Sequence, residues 1–190
     1  MNIQEENTPK NNTQEELNEY FSGNIWKPST IDNWEYSGIQ LVDKVKPHEY
    51  VIDVGCGFNM FKDKIPNLLG IDPANDAADI KIGIEEFEPD DKFDVAFCLG
   101  SIHFGDELKI IKQISKVVSI LKNTSRIYWR CNPGHHDHDD DMCSQISFFP
   151  WNKEWMEHFA DMFNYKINFM TYEFNKGKNR QRLYSEWIRR

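Results

Sequence analysis

The chain has 190 residues, a formal net charge of −9 at pH 7 and an aromatic content of 14%. This length suffices for one domain with a sizeable core and hardly for two. The acidic balance disfavours duplex nucleic acid as a partner, because phosphate binding requires clustered Lys and Arg side chains. No run of about 18 apolar residues occurs, so the sequence predicts no membrane span.

The N-terminal segment and the cysteines indicate a cellular compartment. Residues 1–18 are rich in Asn, Gln, Glu and Thr, so we expect them to be disordered or loosely attached to a domain over residues 19–190. The same segment lacks the basic and apolar regions of a signal peptide. The four cysteines are widely spaced, unlike a disulfide framework. These features together predict a cytoplasmic protein.

Short β-rich runs alternate with helical periods along the chain. Helices are predicted over 31–45, 107–121 and 151–163, and the second has an apolar side formed by Leu108, Ile111, Ile114, Val118 and Leu121. Parallel strands are predicted over 50–54, 68–71, 79–82, 93–99 and 126–131. Two last runs, 166–175 and 180–189, indicate a hairpin. The order predicts an α/β fold, a Rossmann-like, mostly parallel sheet with helices on both faces and a C-terminal antiparallel hairpin.

A glycine turn follows the first predicted strand. Gly55 and Gly57 allow positive φ angles and let a ligand approach the backbone closely. Ligands of open α/β sheets collect beyond the carboxyl ends of the strands, where this turn lies. The next strand ends in Asp72, about 20 residues after Asp53, where an acid accepts hydrogen bonds from ribose hydroxyls. The pattern therefore predicts a nucleoside site.

Three ligands fit a ribose-binding acid after a glycine turn: NAD, FAD and S-adenosylmethionine. The dinucleotides require a third glycine before a helix whose N-terminus holds the pyrophosphate, and this turn has no such glycine. Asp53 would repel a pyrophosphate but suits a ligand that carries an ammonium group. The electrostatics favour S-adenosylmethionine, which has a sulfonium and an α-amino cation and no phosphate.

Three successive motifs resemble those of class I S-adenosylmethionine-dependent methyltransferases. They are Asp53-Val54-Gly55-Cys56-Gly57, Gly70-Ile71-Asp72 and Phe93-Asp94-Val95. The resemblance covers roughly residues 39–130 and extends to the closing hairpin. It implies that residues 19–190 form a methyltransferase domain that binds S-adenosylmethionine.

The resemblance also implies a role for individual residues. Asp53 would lie near the amino group of the cofactor, and Asp72 would hold the ribose. The remaining expected cofactor contacts are Gly55, Cys56 and Gly57 at the methionine end, Pro73, Ile84 and Glu85 around the adenine, and Leu99, Gly100 and Ser101 beneath the sulfonium. Two positions depart from the family pattern: Asn59 replaces the third glycine, and Gly83 stands where an acid usually meets the adenine amine.

The sequence indicates the methyl acceptor less clearly than the cofactor. His103 follows the fourth predicted strand and is a candidate general base, or a histidine that only packs beneath the next helix. The loop 135–143 combines histidines, aspartates and a cysteine without the spacing of a metal site, so we expect a lid or an acceptor-recognition segment and no bound metal. The end of the fourth strand lacks the Asn-Pro-Pro-Tyr motif with which DNA methyltransferases hold a flipped base. We therefore expect a small-molecule acceptor; the alternatives are RNA or protein methylation, or cofactor binding without catalysis.

Overall fold

The computed structural model describes residues 11–22, 29–133, 146, 148–177 and 180–190. Within these ranges one sheet of six strands organises the chain. Its strands are β1 (Val51–Val54), β2 (Leu68–Ile71), β3 (Phe93–Leu99), β4 (Leu121–Cys131), β5 (Tyr165–Asn175) and β6 (Arg180–Arg189).

The strand order is β2-β1-β3-β4-β6-β5. The first four strands of this order run parallel, and β6 and β5 close the sheet as an antiparallel hairpin. The order reverses beside β1, so the carboxyl ends of β1 and β3 flank a topological switch point, which is where open α/β sheets bind ligands. The predicted α/β fold class is confirmed.

The predicted strand over 79–82 is wrong, because the structure reduces it to one parallel bridge between Ile71 and Ile80. The Asp79 side chain accepts a hydrogen bond from the Gly70 N–H at 2.9 Å, while the Asp79 N–H donates to the Gly70 carbonyl at 2.9 Å. A side chain thus occupies a donor that a regular ladder would use, and the pairing ends there.

In the described part of the chain, three α-helices accompany the sheet: α1 (Gln14–Ser22), α2 (Glu107–Ser119) and α3 (Lys153–Met162). Asn152 caps α3, since its side chain accepts from the Trp155 N–H at 2.8 Å. The predicted apolar side of α2 is displaced: Ile110, Ile114 and Val117 are buried, whereas Leu108 is 76% exposed. Leu108 lies in the first turn, off the i, i+4, i+7 stripe that faces the sheet.

The predicted helix over 31–45 is replaced by two 3₁₀ helices, Ile31–Asn33 and Ile39–Lys44. The interruption has a tertiary cause. The N–H groups of Tyr36 and Ser37 donate to the buried Glu173 carboxylate at 2.8 and 3.1 Å, so they are not available to a continuous helix.

Each face of the sheet has its own hydrophobic cluster. Residues such as Ile52 and Trp129 face α2 and α3, whereas their neighbours Val51 and Tyr128 face the opposite side. There Leu41 of the second 3₁₀ helix belongs to the buried cluster. No helix of the described residues is long and apolar enough to cross a membrane.

Part of the N-terminal segment is attached more firmly than we expected for residues 1–18. Thr13 and Glu16 form a reciprocal capping box, with Glu16 N–H donating to Thr13 Oγ1 at 3.2 Å and Thr13 N–H to Glu16 Oε2 at 2.8 Å. Leu17 and Tyr20 of α1 are buried in a third hydrophobic cluster with Phe104. Residues 1–10 lie outside the described residues.

Candidate functional site

The glycine turn has the backbone geometry that the sequence predicts. Gly55 and Gly57 directly follow β1 with φ angles of 65° and 54°. A Cβ added to Gly55 would collide with the Cβ of Ser101, which follows β3. Both conformation and space therefore require glycine at position 55, and the turn packs directly against the end of β3.

Asn59, which replaces the third glycine of the family pattern, adopts a left-handed backbone conformation. Its φ is 52°, a left-handed angle that Asn tolerates better than other side chains. Its amide nitrogen donates to the Ala77 carbonyl at 3.2 Å and to the Asp79 carboxylate at 3.1 Å. The side chain thereby ties the turn to the segment after β2.

Asp72 organises the end of β2 around its carboxylate. One oxygen accepts from the Gly57 N–H at 3.0 Å, and the other accepts from the N–H groups of Ala74 and Asn75 at 2.8 and 2.9 Å. Each carboxylate oxygen has two lone-pair sites, so Asp72 retains the capacity to accept from a ligand as well.

A cavity opens at the carboxyl ends of β1, β2 and β3. It brings together seven of the residues predicted for cofactor binding: Gly55, Gly57, Asp72, Pro73, Ile84, Gly100 and Ser101. The rest of its lining was not among the predicted cofactor contacts, although Val54 and Gly83 lie in the predicted motifs: Gln14, Leu17, Asn18, Phe21, Val54, Ala74, Asn75, Gly83, Phe104 and Gln113. The cavity therefore joins the predicted motifs to α1 and α2.

Four predicted cofactor residues, Asp53, Cys56, Glu85 and Leu99, are not part of the cavity lining. The Leu99 carbonyl accepts from the Arg130 guanidinium at 2.8 Å. Glu85 accepts from the Gln113 amide nitrogen at 3.3 Å and pairs with Lys112 at 2.5 Å. Cys56 is half-buried, and burial raises the pKa of its thiol well above the ordinary value.

Asp53 lies buried in β1, beneath the turn. Burial raises the pKa of its carboxyl to about 7, with a further increase from the charge of Asp72, while the Arg130 cation opposes the shift. A carboxyl poised in this range responds strongly to a neighbouring cation, because a cation favours its ionised form.

Two polar atoms of the cavity lining lack a hydrogen-bond partner among the described residues. They are the buried Ser101 hydroxyl oxygen and the buried Gln113 side-chain carbonyl oxygen. Buried polar atoms are normally satisfied, so these two oxygens are candidates for a hydrogen bond to a ligand in the cavity.

His103 is held in a structural position. The Asn132 N–H donates to Nδ1 at 3.3 Å, which leaves the ring proton on Nε2, 3.1 Å from the Arg130 carbonyl. The ring is buried and does not line the cavity. Because backbone groups engage both nitrogens, this geometry does not support His103 as a general base, and its contacts brace the ends of β3 and β4.

The sequence contains a signal for α1, but the polar composition of residues 1–18 obscured it. Thr13-Gln14-Glu15-Glu16 matches the capping-box pattern, and Leu17, Tyr20 and Phe21 follow at helical spacing. The contribution of Gln113 had no such signal, because its role depends on how α2 docks. The loop 135–143 lies outside the described residues, so its interpretation as a lid stays a prediction.

Comparisons with known proteins address the fold. No family model matches the chain, and no curated protein matches it in sequence. Solved structures do match it. One is the 1,6-didemethyltoxoflavin-N1-methyltransferase of Burkholderia thailandensis with bound 1,6-didemethyltoxoflavin and S-adenosylhomocysteine, at a TM-score of 0.62 and 9% identity over 82% of this chain and 79% of that one.

Two further structures match comparably. The magnesium protoporphyrin IX methyltransferase of Synechocystis with bound S-adenosylmethionine has a TM-score of 0.60 and 12% identity over 79% of this chain and 74% of that one. The N-methyltransferase NodS of Bradyrhizobium japonicum with S-adenosylhomocysteine has a TM-score of 0.55 and 13% identity over 74% of this chain and 78% of that one. The chain therefore has the fold of class I S-adenosylmethionine-dependent methyltransferases.

Proposed function

We propose that this protein transfers the methyl group of S-adenosylmethionine to a small-molecule acceptor. The observation that carries the proposal is the cavity itself, in which the Gly55–Gly57 turn, Asp72 and the Gly100–Ser101 segment meet at the carboxyl edge of the sheet. The structures that share this fold include methyltransferases with S-adenosylmethionine or S-adenosylhomocysteine bound.

The residues around the cavity fit this cofactor. Asp72 accepts from one ribose hydroxyl at the lone-pair site that its three backbone hydrogen bonds leave open, while those bonds hold it in place. Pro73 and Ile84 flank the adenine, and Gly55 and Gly57 leave room for the methionine portion. When bound, the cofactor supplies an electrophilic methyl group on a sulfonium.

Charge favours this cofactor over a dinucleotide. Asp53 and Asp72 are close enough for the Asp72 charge to raise the pKa of Asp53. Two carboxyl groups at the turn oppose a pyrophosphate and attract an ammonium ion. In this proposal the buried Asp53 carboxylate attracts the α-ammonium group of the cofactor electrostatically, across the Gly55–Gly57 turn.

The acceptor side combines apolar walls with one hydroxyl. Leu17 and Phe21 of α1 and Phe104 after β3 line the cavity, and they limit the entry of water. The unpartnered Ser101 hydroxyl is available to position an acceptor, since methyl transfer requires an in-line approach. Because the Cys56 thiol stays protonated, it does not compete as a thiolate for the methyl group.

The test is incubation of the purified protein with methyl-labelled S-adenosylmethionine and separate pools of small metabolites, RNA and protein. We expect label in the small-molecule fraction. Label in RNA or protein would show that the acceptor is a macromolecule instead of a small molecule. Tight binding of S-adenosylhomocysteine without transfer to any pool would indicate a binding module. Absence of binding to either form of the cofactor would refute the proposal as a whole.

A further inference from the structure

The adenine end of the cavity lacks an acid on the loop where the family resemblance expects one. Gly83 occupies that position and lines the cavity beside Pro73 and Ile84. Apart from Gly83 and its two chain neighbours, no atom of the described residues lies within 4 Å of the place where a Cβ of Gly83 would stand. Glu85 and Glu86, the nearest acids along the chain, are not part of the lining. The loop thus provides apolar walls and open space, and the polar partner of the base has to come from another element.

Gln113 of α2 provides a polar atom at this place. Its amide nitrogen lies 3.3 Å from Glu85 Oε1. A carboxylate only accepts hydrogen bonds, so the nitrogen of the amide must face Glu85 and the carbonyl oxygen must point away from it. The other oxygen of Glu85 pairs with Lys112 at 2.5 Å, which restrains the carboxylate. The orientation of the Gln113 amide is therefore fixed by its surroundings.

The carbonyl oxygen of Gln113 is buried and has no hydrogen-bond partner among the residues that the structure describes. Since Gln113 lines the cavity, a ligand there can supply the missing donor. We propose that Gln113 accepts a hydrogen bond from the 6-amino group of adenine, and that Glu85 acts as a positioning residue for the Gln113 amide. The inference rests on the proposed function and names the group that selects the base in that site.

The chemistry of the base makes this selection strong. The 6-amino group of adenine donates, whereas the 6-oxo group of hypoxanthine accepts. Two acceptors facing each other in a buried site leave both unsatisfied, and sites of this kind discriminate more strongly than apolar ones. Gln113 therefore favours adenine and rejects its deaminated form.

The test compares S-adenosylhomocysteine with S-inosylhomocysteine, its 6-oxo analogue, by calorimetry. We expect the unaltered protein to prefer the amino ligand by about tenfold or more. Gln113→Met keeps length and helix propensity but removes the acceptor, so it should bind S-adenosylhomocysteine about 3–10-fold more weakly and show a preference within about threefold. Gln181→Met, at an exposed glutamine of β6, is the matched control and should keep the original preference.

The orientation by Glu85 has its own variant. Glu85→Met frees the amide to turn its nitrogen toward the base, so the preference should fall without loss of the fold, as checked by circular dichroism. A Gln113→Met variant that retains the full preference would overturn the assignment of Gln113 while leaving the proposed function intact. A Glu85→Met variant with unchanged preference would overturn the positioning role. Binding of neither ligand by the unaltered protein would instead overturn the proposed function.

Discussion

Asp72 makes structural hydrogen bonds in addition to the ribose contact that we propose for it. Its carboxylate fixes the Gly57 N–H of the first turn and two N–H groups after β2, so one side chain holds both walls of the cavity. Ligand binding and local geometry are therefore coupled at this residue. A charged acceptor of several hydrogen bonds is worth more than a neutral one.

Asp72→Ala should weaken binding of S-adenosylhomocysteine by about 1–3 kcal/mol, because the ribose loses a charge-assisted acceptor. Calorimetry at pH 7.5 measures this difference. Asp76→Ala is a suitable control, since Asp76 is exposed in the same segment and pairs only at the surface with Lys81. Affinity of the Asp72 variant within twofold of the unaltered protein would contradict the ribose assignment.

The proposed role of Asp53 implies that cofactor binding depends on pH. Its carboxyl has a pKa of about 7, raised mainly by burial, and only the ionised form attracts the α-ammonium group. Affinity for S-adenosylhomocysteine should rise with pH from about 5 to about 7 and level off above the pKa of Asp53. Asp53→Asn should abolish this dependence. A steep dependence that persists in the variant would show that another group titrates.

The raised pKa of Asp53 affects folding stability in the opposite direction to ligand affinity. A carboxyl whose pKa is higher in the folded state than in the unfolded state stabilises the fold at low pH, and this contribution is lost as pH rises toward 7. Ionised Asp53 is therefore unfavourable for folding at pH 8. Asp53→Asn should raise the free energy of unfolding there by about 1–3 kcal/mol, as urea denaturation would measure. A variant that is better folded but binds more weakly is the signature of a functional buried charge.

Local sequence signals were sufficient where the structure depends on local contacts. The strands 68–71 and 93–99 match the predicted bounds, and the Gly55–Gly57 turn has positive φ angles, because short apolar runs and glycines encode these features directly. Prediction failed where a distant partner decides. Glu173 interrupts the helix predicted over 31–45. At His103, for which the sequence left a general base and a packing residue open, backbone groups at positions 130 and 132 engage the ring.

At the scale of elements, α1 completes a cavity that the sheet leaves open on one side. It is joined to the start of α2 by a reciprocal pair, in which the Asn11 amide donates to Asp106 Oδ2 at 2.8 Å and the Asp106 N–H donates to Asn11 Oδ1 at 2.9 Å. Its buried residues belong to a cluster separate from the two clusters of the sheet. A helix with its own small cluster can open without unfolding the sheet.

Leu17→Ala should loosen α1 selectively, because Leu17 is the buried residue of this helix that also lines the cavity. Hydrogen exchange over 14–22 should accelerate by about tenfold or more while exchange in β3 stays unchanged. Saturating S-adenosylhomocysteine should restore part of the protection, since the ligand contacts the same cavity. Glu15→Ala, on the exposed side of α1, should leave exchange unaltered, and an equal acceleration in β3 would show that α1 is part of the global folding unit.

At the scale of the whole molecule, three arginines of the C-terminal hairpin region make contacts within the fold. Arg189 lies over the Tyr165 ring at 5.1 Å, Arg182 over the Trp34 ring at 6.0 Å, and Arg190 pairs with Asp161 at 2.7 Å. These three side chains are engaged within a protein whose net charge is −9, whereas RNA binding requires clustered basic residues that can meet phosphates.

Ligand-linked stability tests this reading of the whole molecule. A ligand that binds only the folded state raises the free energy of unfolding by about 2.7 kcal/mol at a hundred times its dissociation constant. S-adenosylhomocysteine should therefore raise the melting temperature, while NAD should not, because the carboxyl groups at the turn oppose its pyrophosphate. Total RNA at physiological salt should leave the melting temperature unchanged. The net negative charge of the protein repels the phosphates of RNA, and salt weakens any local attraction to basic side chains. A rise with RNA comparable to that with S-adenosylhomocysteine would mean that the hairpin arginines exchange their internal contacts for phosphates, and the acceptor would then have to be sought among nucleic acids.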